Sequence, residues 1–287
     1  MMMNSPRKIA AALAGTPLAG LPVGHGPRGT IMIQDIDTGS LLDSWRAAHA
    51  LLPVTGRWPI LVDDYLGDLQ DFEPYRDPDT PTKRELADLD RIARMIDPWP
   101  HFFRGKTDEP VTADHVPFLA KGSFSTVDLR EEVQANVPPT ADEATLERWI
   151  YDCVRSDPKL TAQVVDGFAR RYVSTDVWFT PDNVVMLLLP TDFGWLAPNW
   201  SSFHDALGYE DQLAGALWQW QDQWDARLVA NWGTMLQFVV HRPPKPGDQA
   251  GALAGQIKAI ATSLAGRRWE LAIVLPHGDA WFIHSRP

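Results

Sequence analysis

In SLLDSWRAAHALL, apolar positions recur at helical spacing, so that Leu41, Leu42, Trp45, Ala48 and Leu52 share one side, with Thr38 or Ser40 as a cap. This predicts a helix lying on a sheet. The run WPILVDD is short, apolar, rich in branched residues and bounded by turn formers, which predicts a buried strand delivering Asp63 and Asp64 to the surface. After an acidic, proline-broken connection at 66–81, Thr80 and Pro81 open KRELADLDRIARMI, whose Leu86, Leu89, Ala93 and Ile96 form one face, and Pro98 and Pro100 stop it. The aromatic stretch at 98–138 is too broken by proline and glycine to assign. Two further helices follow. One starts at a capping box of Thr140 and Glu143 and turns Leu146, Trp149, Ile150 and Cys153 inward. The other starts at Asp157 and Pro158 and buries Leu160, Val164, Phe168 and Tyr172.

Beyond Thr175 the period changes. TDVWFT and NVVMLLLP read as a strand pair around Pro181, Asp182 and Asn183, and RLVANWGTMLQFVVH as two more strands turning at Trp232 and Gly233. A helix capped by Asp248 runs to Leu264 and closes at Gly266, and WELAIVL with AWFIHSR forms a last hairpin around HGD. The expected fold class is α+β: a largely antiparallel sheet with helices packed on it, strand pairs alternating with helices in 174–287, preceded by an acidic, helix-rich region at 1–173.

Between those strand pairs lies ALWQWQDQW. At about 100° per residue, Leu213, Leu217, Trp220 and Trp224 fall within an arc of roughly 60° and make a core stripe. Trp218 lies outside it, beside Asp211, Ala214, Gln221, Asp222 and Asp225. The core does not explain Trp218, which either caps a loop of this chain or anchors a partner.

The stretch from Trp220 to Ile257, with its tryptophan, strand, Arg242-Pro243-Pro244 and Ala-rich helix, resembles the bacterial domain-of-unknown-function family 4253. VMLLLPTDFGWLAPNW and TGRWPILV are similar to its upstream strands. Trp220 falls on the family's hallmark tryptophan. Asp225 stands where the family has glycine, which implies a left-handed helix end. The resemblance implies a fold and carries no activity.

With 287 residues, 45% of them hydrophobic, the chain can bury a sizeable core. Its formal charge of -11 argues against nucleic acid and favours a basic partner. From Glu210 onward seven acidic residues balance seven basic ones, so the excess lies in the first part of the chain. The lone Cys153 permits no internal disulfide, which suits a cytoplasmic protein, and reads as a small core residue. Arg7 and Lys8 before an apolar run loosely resemble a secretory signal, interrupted by Pro17 and Pro22. No run approaches the length of a membrane span.

Candidate chemistry is sparse. His241 and His284, with Asp279 or His277, could form a two-His-one-carboxylate site if their strands are neighbours. The pairs Asp114-His115 and His204-Asp205, and Asp63 with Asp64, are the kind of carboxylate and histidine grouping that turns commonly contain. GSFS at 122–125 is no nucleophile elbow, the glycine-rich AGTPLAG and PVGHGPRG lack the phosphate-loop lysine, and PPKP at 243–246 reads as a rigid turn. The leading expectation is a non-catalytic bacterial binding protein, of immunity or adaptor type, that engages a protein partner without a cofactor. Trp218, Trp195, Trp200, Trp232 and Arg242 are its candidate binding residues. The alternatives are a hydrolase using a metal or His241, His284 and Asp279, and a small-ligand protein with a pocket walled by the same tryptophans.

Overall fold

The computed structural model describes residues 2–63, 80–104, 111–112, 114–138 and 140–285, without the side chains of 169–172. Asp64 and most of the acidic connection at 66–81 lie outside the described residues. The helices are α1 (Pro6–Ala12), α2 (Leu41–Ala50), α3 (Leu52–Thr55), α4 (Lys83–Met95), α5 (Trp99–Phe102), α6 (Val116–Leu119), α7 (Arg130–Asn136), α8 (Glu143–Ser156), α9 (Pro158–Tyr172), α10 (Glu210–Trp224), α11 (Asp248–Ile260) and α12 (Arg268–Val274). The strands are β1 (Val23–His25), β2 (Ile31–Ile33), β3 (Pro59–Asp63), β4 (Val184–Leu188), β5 (Ala226–Asn231), β6 (Met235–Val240) and β7 (Ala280–His284). They form one mixed, mostly antiparallel sheet in the order β1-β2-β4-β3-β5-β6-β7, and the fold is α+β. No helix among the described residues is long and apolar enough to cross a membrane.

The chain divides into two compact units, 1–98 with 179–239 and 99–178 with 240–287. The expected division is at residue 173, and the units are divided after Pro98, Trp178 and Val239, so that both are discontinuous in sequence.

In the first unit β3 pairs antiparallel with β4, Pro59 opposite Leu188 and Asp63 opposite Val184, and parallel with β5, Leu61 opposite Ala230. Every residue of β4 is buried, as are Pro59 to Val62, so these strands are apolar along their length instead of alternating. Helix α2 lies on β3 as its periodicity predicts, and the Trp45 indole N–H donates to Pro59 O at 2.9 Å. Helix α10 crosses α4 where Gly215 lacks a side chain: a Cβ there would sit 2.4 Å from Ile96 Cγ2. Trp220 is buried edge-on to Phe238 with ring centres 5.8 Å apart. Asp225 closes α10 in the left-handed region at φ 46, and its carboxylate takes the Arg227 guanidinium at 2.9 Å.

One charged group is built into this unit without a carboxylate. Arg57 is buried, and its guanidinium donates to the carbonyls of Met3, Gly29 and Leu188 and to Asn4 Oδ1. Burial lowers its pKa to about 10, and the four acceptors supply the hydrogen bonds that water would otherwise provide.

The second unit is organised around α12, which packs against α8, α9 and α11. This corrects the strand expected for WELAIVL. Trp269 to Val274 are all buried, and a segment enclosed by neighbours on every side has an apolar run whether it is helix or strand. Its one acidic residue, Glu270, is 0% exposed and is fully satisfied. It accepts the backbone N–H groups of Ser123, Phe124, Ser125 and Arg267 at 3.0 to 3.3 Å and the Ser125 hydroxyl at 2.9 Å. The GSFS segment is therefore a collar around a buried carboxylate. Gly122 permits the approach, since a Cβ there would lie 2.8 Å from Glu270 Oε1.

Three other expectations need correction. TDVWFT forms turns and no strand, so β4 has no hairpin partner there. Asp142, in place of Thr140, caps α8 by accepting the Thr145 N–H at 2.7 Å. The PVGHGPRG segment contributes β1 and the turn into β2 instead of being only a loose turn.

Candidate functional site

Of the three indoles on α10, Trp218 is half-buried and lies beneath a cation of the same chain. The Arg94 guanidinium is 6.0 Å from its ring centre, 4.9 Å from that of Trp195 and 5.7 Å from that of Phe193. Asp90, one turn before Arg94 on α4, holds that guanidinium at 2.8 Å and also accepts the Trp195 indole N–H at 3.0 Å. The side of α10 opposite the core stripe thus has a purpose within the fold, as a platform for a cation–π cluster.

Trp195, Trp200 and Trp232, the expected pocket walls, are built into the interior of the first unit. All three are buried, and each indole N–H is satisfied internally: by Asp90, by Arg28 O at 3.2 Å and by Gln237 Oε1 at 2.6 Å. Arg242 is exposed in the loop after β6.

The catalytic triplet is not assembled either. The Asp279 carboxylate is taken by Thr175, which donates its backbone N–H at 2.9 Å and its hydroxyl at 2.8 Å. His284 stacks on Phe282, and His241 is exposed just past the end of β6. Among the described residues no group of three or more His, Cys, Asp or Glu could hold a metal ion. Cys153 is half-buried, and desolvation, followed by the charges of Glu132 and Asp157, raises its pKa and disfavours the reactive thiolate.

Two concavities of the second unit are chemically more organised. The larger is an open groove of about 820 Å³ between α6, α7 and the start of α8. Its floor is apolar, from Val116, Val133, Val137 and Leu146, and its rim carries Asp128, Arg130, Glu131 and Glu132. Asp128 and Arg130 neutralise each other through a 2.6 Å pair, which lowers the carboxyl pKa. Glu131 and Glu132 are exposed, and their carboxylates make no salt bridge among the described residues. The rim is left with a net charge near -2.

The smaller is a cleft of about 250 Å³ between α8, α11 and α12. Glu147 lies in its wall at 5% exposure, with Oε1 accepting the Arg268 backbone N–H at 3.1 Å. Desolvation raises its pKa to about 7, against the opposing pull of the Arg268 charge. Tyr151 lines the same cleft, its hydroxyl oxygen accepting the Gly247 N–H at 2.6 Å. At the exposed end Arg148 bridges α8 to α11, bonding Asp152 at 2.9 Å and Asp248 at 2.7 Å.

Sequence reasoning missed both concavities. For the cleft a signal existed: Glu147 and Tyr151 sit beside Leu146 and Ile150 on the inward side of α8, and Gly251 and Gly255 recur four apart in an otherwise Ala-rich helix. No family model, curated protein or solved structure matches this chain.

Proposed function

We propose that the protein is a non-catalytic binding protein that receives a basic, amphipathic segment of a protein partner in the groove between α6 and α7. The observation that carries this reading is the apolar floor bordered by two exposed carboxylates, Glu131 and Glu132, that make no salt bridge among the described residues. Branched apolar side chains of the segment fill the floor, while its Lys or Arg residues meet Glu131 and Glu132, the arrangement of helix-in-groove recognition. The formal charge of -11 steers such a partner from a distance. An adaptor or immunity role is the corresponding cellular task, and the lone Cys153 suits a reducing cytoplasm. The likeness of residues 220–257 to the unknown-function family belongs to the same proposal and adds no activity to it.

The test is selection of displayed peptides on the purified protein, followed by titration calorimetry of a selected peptide. Enriched sequences are expected to combine Lys or Arg with branched apolar residues. Reversing Glu131 and Glu132 to Lys together should weaken binding by about tenfold or more, since two exposed attractions of up to about 1 kcal/mol each become repulsions. Peptides that bind this double variant as tightly as the wild type would overturn the proposal.

A further inference from the structure

The cleft between α8, α11 and α12 contains features that folding alone leaves unexplained. The second carboxylate oxygen of Glu147, Oε2, takes no hydrogen bond among the described residues, although the residue is nineteen parts in twenty buried. The atom is not among the enclosed unpartnered ones, so it opens on the cleft and is available to whatever occupies it. The Arg268 guanidinium makes one long hydrogen bond among the described residues, from Nη2 to Gly251 O at 3.4 Å, and its charge acts on Glu147. The Tyr151 hydroxyl accepts from Gly247 and keeps its own proton to donate.

The walls are trimmed to make room. Gly255 lets the Arg268 guanidinium lie on the surface of α11, for a Cβ there would be 2.9 Å from Nη2. A Cβ at Gly251 would meet nothing within 4 Å and would project into open space. Glycine is the poorest helix former after proline, so two of them in the interior of α11 need a local reason. Ala144, Ala252 and Ala272 keep the rest of the lining small.

We propose that this cleft binds a small free α-amino acid, its carboxylate held by the Arg268 guanidinium and the Tyr151 hydroxyl and its ammonium accepted by Glu147 Oε2. A guanidinium presents paired N–H donors that match a carboxylate, and a neighbouring carboxylate acceptor complements an ammonium. Each head group thus meets a complementary group, and the zwitterion brings no net charge into the cleft. At about 30 Å³ of liquid volume per water molecule, the cleft holds roughly eight waters' worth of ligand, which favours the smaller amino acids. Burial raises the pKa of Glu147, Arg268 only partly offsets it, and an ammonium beside the carboxylate would favour its charged form further. The site is separate from the groove, and variants at the groove rim leave it intact.

The experiment is a thermal-shift screen of the free amino acids against the whole protein, with hits measured by titration calorimetry and with propionate and propylamine as single-headed controls. At least one small amino acid should bind saturably, and both controls should fail. Gly251→Ala places a methyl group in the ligand space while favouring the helix, so it should fold at least as stably and lose the binding. Glu147→Gln retains the shape and removes the charge that receives the ammonium, and should weaken binding by about tenfold or more. The proposal is overturned if no amino acid binds, if Gly251→Ala binds as well as the wild type, or if propionate alone binds with equal affinity.

Discussion

Replacing Glu147 with Gln should make the protein more stable at alkaline pH and leave it unchanged in acid. Buried in the cleft wall, the Glu147 carboxyl holds its proton up to about pH 7, whereas in an unfolded chain it releases it near 4.5. Between those values the folded state binds the extra proton, so stability is fully present below the unfolded value and is lost as pH rises through the folded one. At about 1.4 kcal/mol per pH unit, the full loss approaches roughly 3 kcal/mol, a large part of the 5–15 kcal/mol that stabilises an ordinary domain. Glutamine has no charge to bury, and its amide oxygen can still accept the Arg268 N–H. The charged groups acting on Glu147 are Arg268, Glu143 and Lys258, with Arg148 and Asp248 farther along the same cleft. Arg268 and Lys258 oppose the shift and Glu143 adds to it. The exposed carboxyls Asp37, Glu85, Asp128 and Asp142 are held below their usual range by hydrogen bonds, so their effects appear only in stronger acid and cancel between the two proteins. Urea unfolding followed by circular dichroism at about pH 4, 5.5, 7 and 8.5 gives the difference directly, and the variant's advantage should grow from near zero to roughly 3 kcal/mol. A difference that stays flat across this range, or a variant less stable than the wild type at the alkaline end, would refute the reasoning.

Glu270→Gln should be severe, costing about 3 kcal/mol or more in urea unfolding, because four backbone N–H groups and a hydroxyl converge on that carboxylate and an amide nitrogen cannot accept from them. A cost below about 1 kcal/mol would mean that the 123–125 collar is held by something else. Gly194→Ala should destabilise the first unit by roughly 2 kcal/mol in the same assay, since a Cβ there would lie 2.4 Å from the buried Trp58 ring. Near-neutral behaviour would show that the ring can retreat. Trp218→Ser should remove the Arg94 contact, cost about 1 kcal/mol and leave peptide binding in the groove unchanged. Loss of peptide binding in a folded Trp218→Ser protein would return the indole to the recognition surface.

Where one face of an element meets the core and the other meets water, the sequence was legible. The periodicity of α2 shows it, as does the α10 stripe of Leu213, Leu217 and Trp220, although Trp224, expected in the same stripe, is only half-buried. Periodicity lost its meaning in WELAIVL, because a segment surrounded by three helices is apolar on every side and shows neither period. Trp218 was singled out correctly as lying off the core stripe, but its cation comes from Arg94, more than a hundred positions earlier, and no local pattern relates the two. The same distance in sequence hid the partner of Asp279, Thr175, and the collar that makes Glu270 a buried anchor. The cleft combines Glu147, Tyr151, Gly251 and Arg268 from three helices, and the groove combines two apolar segments with a short acidic helix. Neither could be found without the packing that brings those segments together.

The interleaving of the two units has a consequence for synthesis on the ribosome. The chain emerges from its N-terminus, and domains that are continuous in sequence can fold one after another as they appear. Here a nascent chain of 178 residues holds the opening segment of each unit and the whole of neither. The first unit is complete only once Val239 has emerged, and β3 waits for its neighbours until β4 and then β5 have followed it. Helices α8 and α9 wait for α12, the helix they enclose, which lies about a hundred residues farther along the chain. Their exposed apolar faces must be tolerated, or shielded by chaperones, while the segment between them and α12 is made.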